Sequence, residues 1–187
     1  MEINGGLQNI VRNMQGRSIM KVVKFGGTSM ANAVQIRKAC DIVLADPARQ
    51  IVVVSAPGKR NSSDTKVTDL LIALANKVIE SGAHDAELKA VVDRFAEIAK
   101  DFSLDMKLVD EIKADIEGRI TKYKGRDAML MDALKAAGED NTAKVVAAYL
   151  SKAGHPATYI NPKEIGLLLS DEFGNAQVLP ESYKNLE

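Results

Sequence analysis

The stretch KVVKFGGTS, Lys21–Ser29, constrains the fold more than any other part of this chain. An apolar run carries a lysine near its end, then two adjacent glycines, two hydroxyl residues and a helical pattern. Glycine has no Cβ, so the backbone there can approach a ligand or another segment closely. The N–H groups of such a loop and of the helix start then make an anion site. Lys24 adds a positive charge at the C-terminal end of the strand, where open α/β sheets gather their ligands. Thr28 and Ser29 have the chemistry to cap the helix or to hydrogen-bond phosphate oxygens. A tight strand–helix turn with a capping hydroxyl and a purely structural Lys24 is the competing reading. The spacing is neither that of a P-loop, G-x-x-x-x-G-K-[ST], nor that of a G-x-G-x-x-G fingerprint.

The rest of the chain alternates in the same manner. A strand over Lys21–Phe25 leads to a helix from about Asn32 to Ala45, with Ile36, Cys40, Val43 and Leu44 at helical spacing. Asp46-Pro47 ends it. A second strand, Ile51–Ser55, is apolar without alternation, which predicts burial on both faces of a parallel sheet. A polar loop, Ala56–Lys66, runs into a helix over Val67–Ser81. Residues 82–153 read as helical. Leu88, Val92, Phe95, Ile98 and Phe102 form one apolar stripe, and Leu108, Ile112, Ile116 and Ile120 a second. Ala128–Ala137 and Asn141–Ala153 read as two further helices. Gly154-His155-Pro156 interrupts the pattern before a third strand, Ala157–Ile160. The tail reads as a short strand, a loop around Gly174 and a further segment. This order predicts a three-layer α/β fold. Its mostly parallel sheet carries helices on both faces, and residues 82–153 form an inserted helical subdomain. Residues 1–20 read as a disordered leader without a secretory apolar core, with Met14 and Met20 as alternative starts to Met1.

Composition narrows the function classes. The chain has 187 residues, suited to one domain or one lobe of a larger one. Lys plus Arg and Asp plus Glu number 25 each, for a net charge of +0, so a nucleic-acid partner is not expected. Aromatics are 4% with no Trp, which argues against a base-stacking surface. A single cysteine and two histidines exclude an internal disulfide framework and make a Cys/His zinc site implausible; no metal site is predicted. No apolar run reaches the length of a membrane span, and a reducing cytoplasm is the default location. Cys40 lies on an apolar helical stripe and reads as a buried, inert thiol. His84 and His155 are assigned no role.

The segment KFGGTS, Lys24–Ser29, resembles the opening signature of aspartate kinases, within the amino acid kinase superfamily. VVVSAPGKR (Val52–Arg60), VTDLLIAL (Val67–Leu74), Gly138-Glu139 and SDEFGNA (Ser170–Ala176) follow in the family's order, so the resemblance runs from Lys21 to the C-terminus. It implies transfer of the γ-phosphoryl of ATP, with Mg2+, to the β-carboxylate of L-aspartate. The product, 4-phospho-L-aspartate, begins the route to lysine, threonine and methionine. On this resemblance Lys24 is catalytic. Lys24, Phe25, Gly26, Gly27, Thr28, Ser29 and Ser55 bind the ATP phosphates. Thr68 and Glu139 bind aspartate, Glu139 through the substrate's ammonium.

Each assignment has a plainer alternative. Ser55 reads equally as a strand-end hydroxyl, Thr68 as a helix N-cap with Asp69 in the first turn, and Glu139 as a capping residue near the Asn141–Ala153 helix. Asp140 and Asn141 depart from the small hydroxyl residues expected after Gly-Glu. Lys59 and Arg60 read as solvated loop residues. The family's later R-G-G-S-D element, adenine-binding half and regulatory ACT domains are not found in these 187 residues. The resemblance therefore implies the N-terminal part of a larger, homo-oligomeric enzyme, inactive by itself. Two rival readings remain. One is another kinase of the superfamily, acting on acetylglutamate, glutamate, UMP or carbamate. The other is a non-catalytic interaction module docking through its helical region.

Overall fold

The computed structural model describes residues 20–186. The expected leader, residues 1–20, lies outside the described residues except for Met20. Strand β1 (Lys21–Phe25) is followed by a 3-10 turn (Gly27–Met30) and helix α1 (Ala33–Leu44). Strand β2 (Arg49–Val54) precedes helices α2 (Val67–Ser81), α3 (Asp85–Asp101), α4 (Lys107–Lys122) and α5 (Asp127–Lys152). A short helix α6 (Glu181–Asn185) closes the tail. The chain is thus α/β and rich in helix. β1 and α2 coincide with the segments read from the sequence.

The two strands pair in parallel, with Val22 opposite Ile51, Lys24 opposite Val53 and Phe25 opposite Val54. Parallel pairing requires a crossover, and α1 supplies it. Asn32 starts α1 by accepting the Gln35 N–H at 3.0 Å, the usual service of an Asn N-cap. Side chains alternate across the sheet. Phe25, Val52 and Val54 join the helical core. Val22, Ile51 and Val53 point the other way and are 62%, 44% and 46% exposed. The sequence reading expected β2 to be covered on both faces. Among the described residues it is covered on one, because the helices that touch β2 pack on the Val52/Val54 side.

The core is a closed set of four helices. α2 packs on α3 and α5, and α4 bridges α3 to α5. Leu71, Leu74, Val91, Phe95, Ile112, Ile116, Leu130 and Leu134 fill its centre, each at most 1% exposed. The helical subdomain expected over residues 82–153 therefore includes α2 as well. Its core is continuous with the sheet through Val54, Ala56 and Ile36.

Two further expectations are corrected. The helices predicted over Ala128–Ala137 and Asn141–Ala153 are one helix, α5, which runs unbroken through Gly138-Glu139. The Thr142 hydroxyl donates to the Gly138 carbonyl at 2.7 Å within it. The strand predicted over Ala157–Ile160 is not formed. Both backbone groups of Ala157 are taken by one side chain: the Ser151 hydroxyl donates to its carbonyl at 3.0 Å and accepts its N–H at 3.2 Å. The N–H that a ladder would use at that position is therefore already engaged. Beyond it, the tail pairs only as an isolated antiparallel bridge, Leu169 with Val178.

Candidate functional site

The site forms where β1 and β2 end side by side. The Ser55 N–H donates to the Phe25 carbonyl at 3.1 Å, and the Gly58 N–H to the Gly27 carbonyl at 2.9 Å. The two loops therefore continue the pairing of their strands past the sheet. Their approach depends on glycine. A Cβ placed on Gly58 would lie 2.7 Å from the Gly27 carbonyl carbon and oxygen, and one on Gly27 would lie 3.1 Å from the Ala56 oxygen. Gly26 is the N-cap of the 3-10 turn and is extended, with φ −79° and ψ 171°. As the first residues of that turn, Gly27 and Thr28 have no acceptor within the turn for their N–H groups. Lys24 lies on the open face of the sheet, and its Nζ stands 3.9 Å from the position of a Cβ on Gly26. The ammonium thus curls over the glycine loop.

Helix α5 brings the third component. A Cβ on Gly138 would stand 2.7 Å from the Ala56 Cβ and 3.2 Å from Leu71 Cδ1. Gly138 is the bare spot through which α5 seats against the second loop. The next residue, Glu139, is exposed and borders a groove of about 400 Å³ along β2, lined by Ile51–Val54 together with Asp140 and Tyr159. Glu139 sits in the helix interior, so the capping alternative for it does not hold. Burial, and then the nearby Asp140 charge, pushes the Tyr159 hydroxyl up to about 12.

Asp140 and Asn141, which depart from the family pattern, are absorbed by α4. Arg119 donates to Asp140 at 2.6 Å, to Asp115 at 3.0 Å and to the Ala133 carbonyl at 2.9 Å. Asn141, fully buried, donates to Asp115 at 3.1 Å. Burial disfavours the Arg119 charge, but its two carboxylate partners outweigh this and hold its pKa above the ordinary arginine value. This network clamps α4 to α5 and leaves Glu139 uncommitted.

The remaining predicted residues fall around these loops. Thr68 is half-buried in the first turn of α2, but the N-cap of that helix is Lys66, so the capping alternative for Thr68 is not realised. The Val67 N–H donates to the Pro57 carbonyl at 2.9 Å, which ties the start of α2 to the second loop. Thr28 is exposed and Ser29 half-buried; neither caps α1, a task that Asn32 performs. Lys59 is exposed, as expected. Arg60 is not simply solvated: it forks onto Asp64 at 2.8 and 2.9 Å and also reaches Glu97. Cys40 is 2% exposed, and burial pushes its thiol up to about 11, in keeping with an inert residue. His84 Nδ1 donates to the Gly82 carbonyl, 2.6 Å away in its own turn.

The sequence reading did not single out Arg94 and Asp64. Arg94 projects from the buried side of α3 and is 5% exposed. Its position, three residues after Val91 and four before Ile98, is the one signal that could have found it. Asp64 accepts from the Arg60 backbone and side chain and from Arg94, and these bonds, Arg60's first, hold its carboxyl well below the usual carboxylate range. Among the described residues no three His, Cys, Asp or Glu side chains converge as a metal centre. No described helix is long and apolar enough to cross a membrane.

A two-stranded parallel sheet ending in a lysine-bearing glycine loop, backed by helices, makes this an α/β domain. Residues 20–187 match the Amino acid kinase family, and the chain belongs to that family. It is 50% identical over 167 residues to aspartokinase 3 of Bacillus subtilis, covering 89% of this chain and 37% of that protein. It is 27% identical over 179 residues to the chloroplastic aspartokinase 2 of Arabidopsis thaliana, covering 90% of this chain and 31% of that one. The chain thus spans about a third of the length of the curated relatives it matches. The crystal structure of aspartate kinase from Clostridium acetobutylicum superposes with a TM-score of 0.62 at 30% identity, over 70% of this chain and 29% of that one. E. coli aspartokinase III in complex with aspartate and ADP superposes with a TM-score of 0.71 at 24% identity, over 89% of this chain and 36% of that one, a likeness of fold.

Proposed function

We propose that this chain forms the phosphate- and aspartate-binding part of an aspartate kinase, which transfers the γ-phosphoryl of ATP to the β-carboxylate of L-aspartate. The observation that carries the reading is the seating of three glycine-dependent contacts, Gly27 on Ala56, Gly58 on Gly27 and Gly138 on Ala56. They hold the glycine loop, with Lys24 over it, against the loop that follows Ser55, and seat α5 on that loop with Glu139 beside β2. The chemistry fits what that end offers. An aspartate carboxylate, with a pKa near about 3.9, is already ionised at neutral pH, so no general base is required. The task is to align two anions and to neutralise charge on the transferring group. Lys24 supplies the charge and the Gly27 and Thr28 amides supply donors, while Glu139 faces the substrate ammonium. Mg2+ is expected to arrive with the nucleotide. The longer enzyme is proposed to be a cytoplasmic homo-oligomer.

The test is ADP release from ATP with a panel of acceptors: aspartate, acetylglutamate, glutamate, UMP and carbamate. It is run on residues 1–187 and on a completed enzyme in which the remaining family segments follow. Aspartate alone should support turnover in the completed enzyme. The 187-residue polypeptide, lacking an R-G-G-S-D element, should not exceed its own Lys24→Ala background. Turnover of another acceptor in preference to aspartate would overturn the substrate assignment.

A further inference from the structure

Arg94 is the most completely engaged buried cation among the described residues. One terminal nitrogen, Nη1, donates to Asp64 Oδ2 at 2.9 Å and to the Thr65 carbonyl at 2.9 Å. The other, Nη2, donates to the Ala31 carbonyl at 3.1 Å and to the Gly58 carbonyl at 3.0 Å. All four N–H bonds of the two terminal nitrogens are therefore used, each toward a different acceptor group. Ala31 closes the 3-10 turn that begins at Gly27. Gly58 donates its own N–H to Gly27. Thr65 and Asp64 lie at the far end of the second loop, next to the start of α2. A single planar group on α3 thus touches the first loop once and the second loop at both of its ends.

A buried charge is costly unless fully paired, and burial does lower the pKa of Arg94. A leucine at this position would leave the Asp64 carboxylate and the Thr65, Ala31 and Gly58 carbonyls without this partner. The guanidinium instead offers a rigid fork that fixes the relative placement of its acceptors. Asp64 completes the arrangement. It is held by Arg60 from within the loop and in turn orients Arg94. Neither residue touches the open side of the glycine loop, so neither is positioned to contact substrate.

We propose that Arg94, oriented by Asp64, is a positioning residue that sets the spacing of the two phosphate-facing loops, so that Gly26–Ser29 and Ser55–Gly58 act as one rigid anion cradle. This rests on the phosphate-binding role proposed above for those loops. Lysine cannot substitute. Its ammonium has three donors on one nitrogen and cannot span both loops.

The test compares wild type, Arg94→Lys and Asp64→Asn in two ways. The first is amide hydrogen exchange in the ligand-free 187-residue chain. Arg94→Lys should speed exchange of the amides over residues 26–31 and 56–66 together, by at least about tenfold. Asp64→Asn should do so to a smaller degree. Residues 107–152, in the α4–α5 pair, should exchange as in wild type. The second is kinetics in the completed enzyme, where Arg94→Lys should lower kcat by about 10²-fold with the KM for aspartate little changed, as expected of misplaced phosphoryl contacts. Loosening of the 56–66 loop alone, or a uniform rise in exchange across the molecule, would overturn the coupling. So would an unchanged kcat in Arg94→Lys. If the wild-type enzyme fails to phosphorylate aspartate, the functional reading falls, and the exchange pattern still decides whether Arg94 joins the loops.

Discussion

At the scale of single residues, the site separates charges that act from charges that hold. Lys24 is exposed and has no carboxylate partner among the described residues, so its charge is available for a ligand. Lys24→Met in the completed enzyme should lower kcat by about 10²–10³-fold while leaving the unfolding midpoint in place, since losing such a donor acts chiefly on the transition state. An unchanged kcat removes Lys24 from catalysis. Glu139 is likewise uncommitted, and Glu139→Gln should raise the KM for aspartate far more than that for ATP; equal effects would speak against an ion pair with the substrate ammonium. Asp64 belongs to the holding charges. Its carboxyl is depressed in the folded chain, so folding favours the ionised form. The stabilisation is complete above the ordinary carboxyl value near about 3.9 and is lost as pH falls below it. Urea midpoints of wild type and Asp64→Asn should therefore differ most near neutral pH and converge on acidification. A gap that stays constant with pH would refute this linkage.

At the scale of elements, Gly138 is the decisive position in α5. Glycine inside a helix ordinarily costs about 1 kcal/mol relative to alanine, so Gly138→Ala should stabilise on propensity alone. The contact with Ala56 reverses the sign, because the added methyl would sit 2.7 Å from the Ala56 Cβ. Overpacking of this kind typically costs about 1–3 kcal/mol. Gly138→Ala should thus lower the melting temperature, and adding Ala56→Gly should recover much of the loss. A Gly138→Ala variant that melts higher than wild type would show that α5 can shift away from the loop without cost. The same seating explains why a Gly-Glu pair occurs in mid-helix: glycine lets α5 reach the loop, and the residue after it then stands beside the strand ends.

At the scale of the whole molecule, apolar surface is unevenly covered. The four-helix core is closed, whereas Val22, Ile51 and Val53 line an open sheet face, and Ile160, Leu169 and Val178 of the tail are 56%, 51% and 47% exposed. Open strand faces and edges invite association. The isolated 187-residue chain should therefore be strongly helical by far-UV circular dichroism, yet bind a hydrophobic dye and elute larger than a monomer in gel filtration. A dye-silent monomer with one cooperative urea transition would show that this surface is covered in solution and that the chain closes its own core.

What the sequence determined by itself was local. β1 and α2 were legible to the residue and the start of α1 to within one, because apolar periodicity acts over a few positions; its cap was expected from Thr28 or Ser29 and is made by Asn32. The strand–glycine loop–helix order was legible for the same reason, since it too is set by neighbouring positions. Tertiary structure decided the rest. Gly138-Glu139 reads as a break between helices until Ala56, far away in the chain, supplies the reason for a glycine there. Ala157–Ile160 has strand-like composition, but Ser151 takes the backbone groups of Ala157. β2 reads as buried on both faces, although burial depends on what packs against it. Arg94 is one charged residue among many in a helical stretch. Its role exists only because the carbonyls of Ala31, Gly58 and Thr65 and the carboxylate of Asp64, contributed by two loops, converge on it, and no spacing within α3 encodes that convergence.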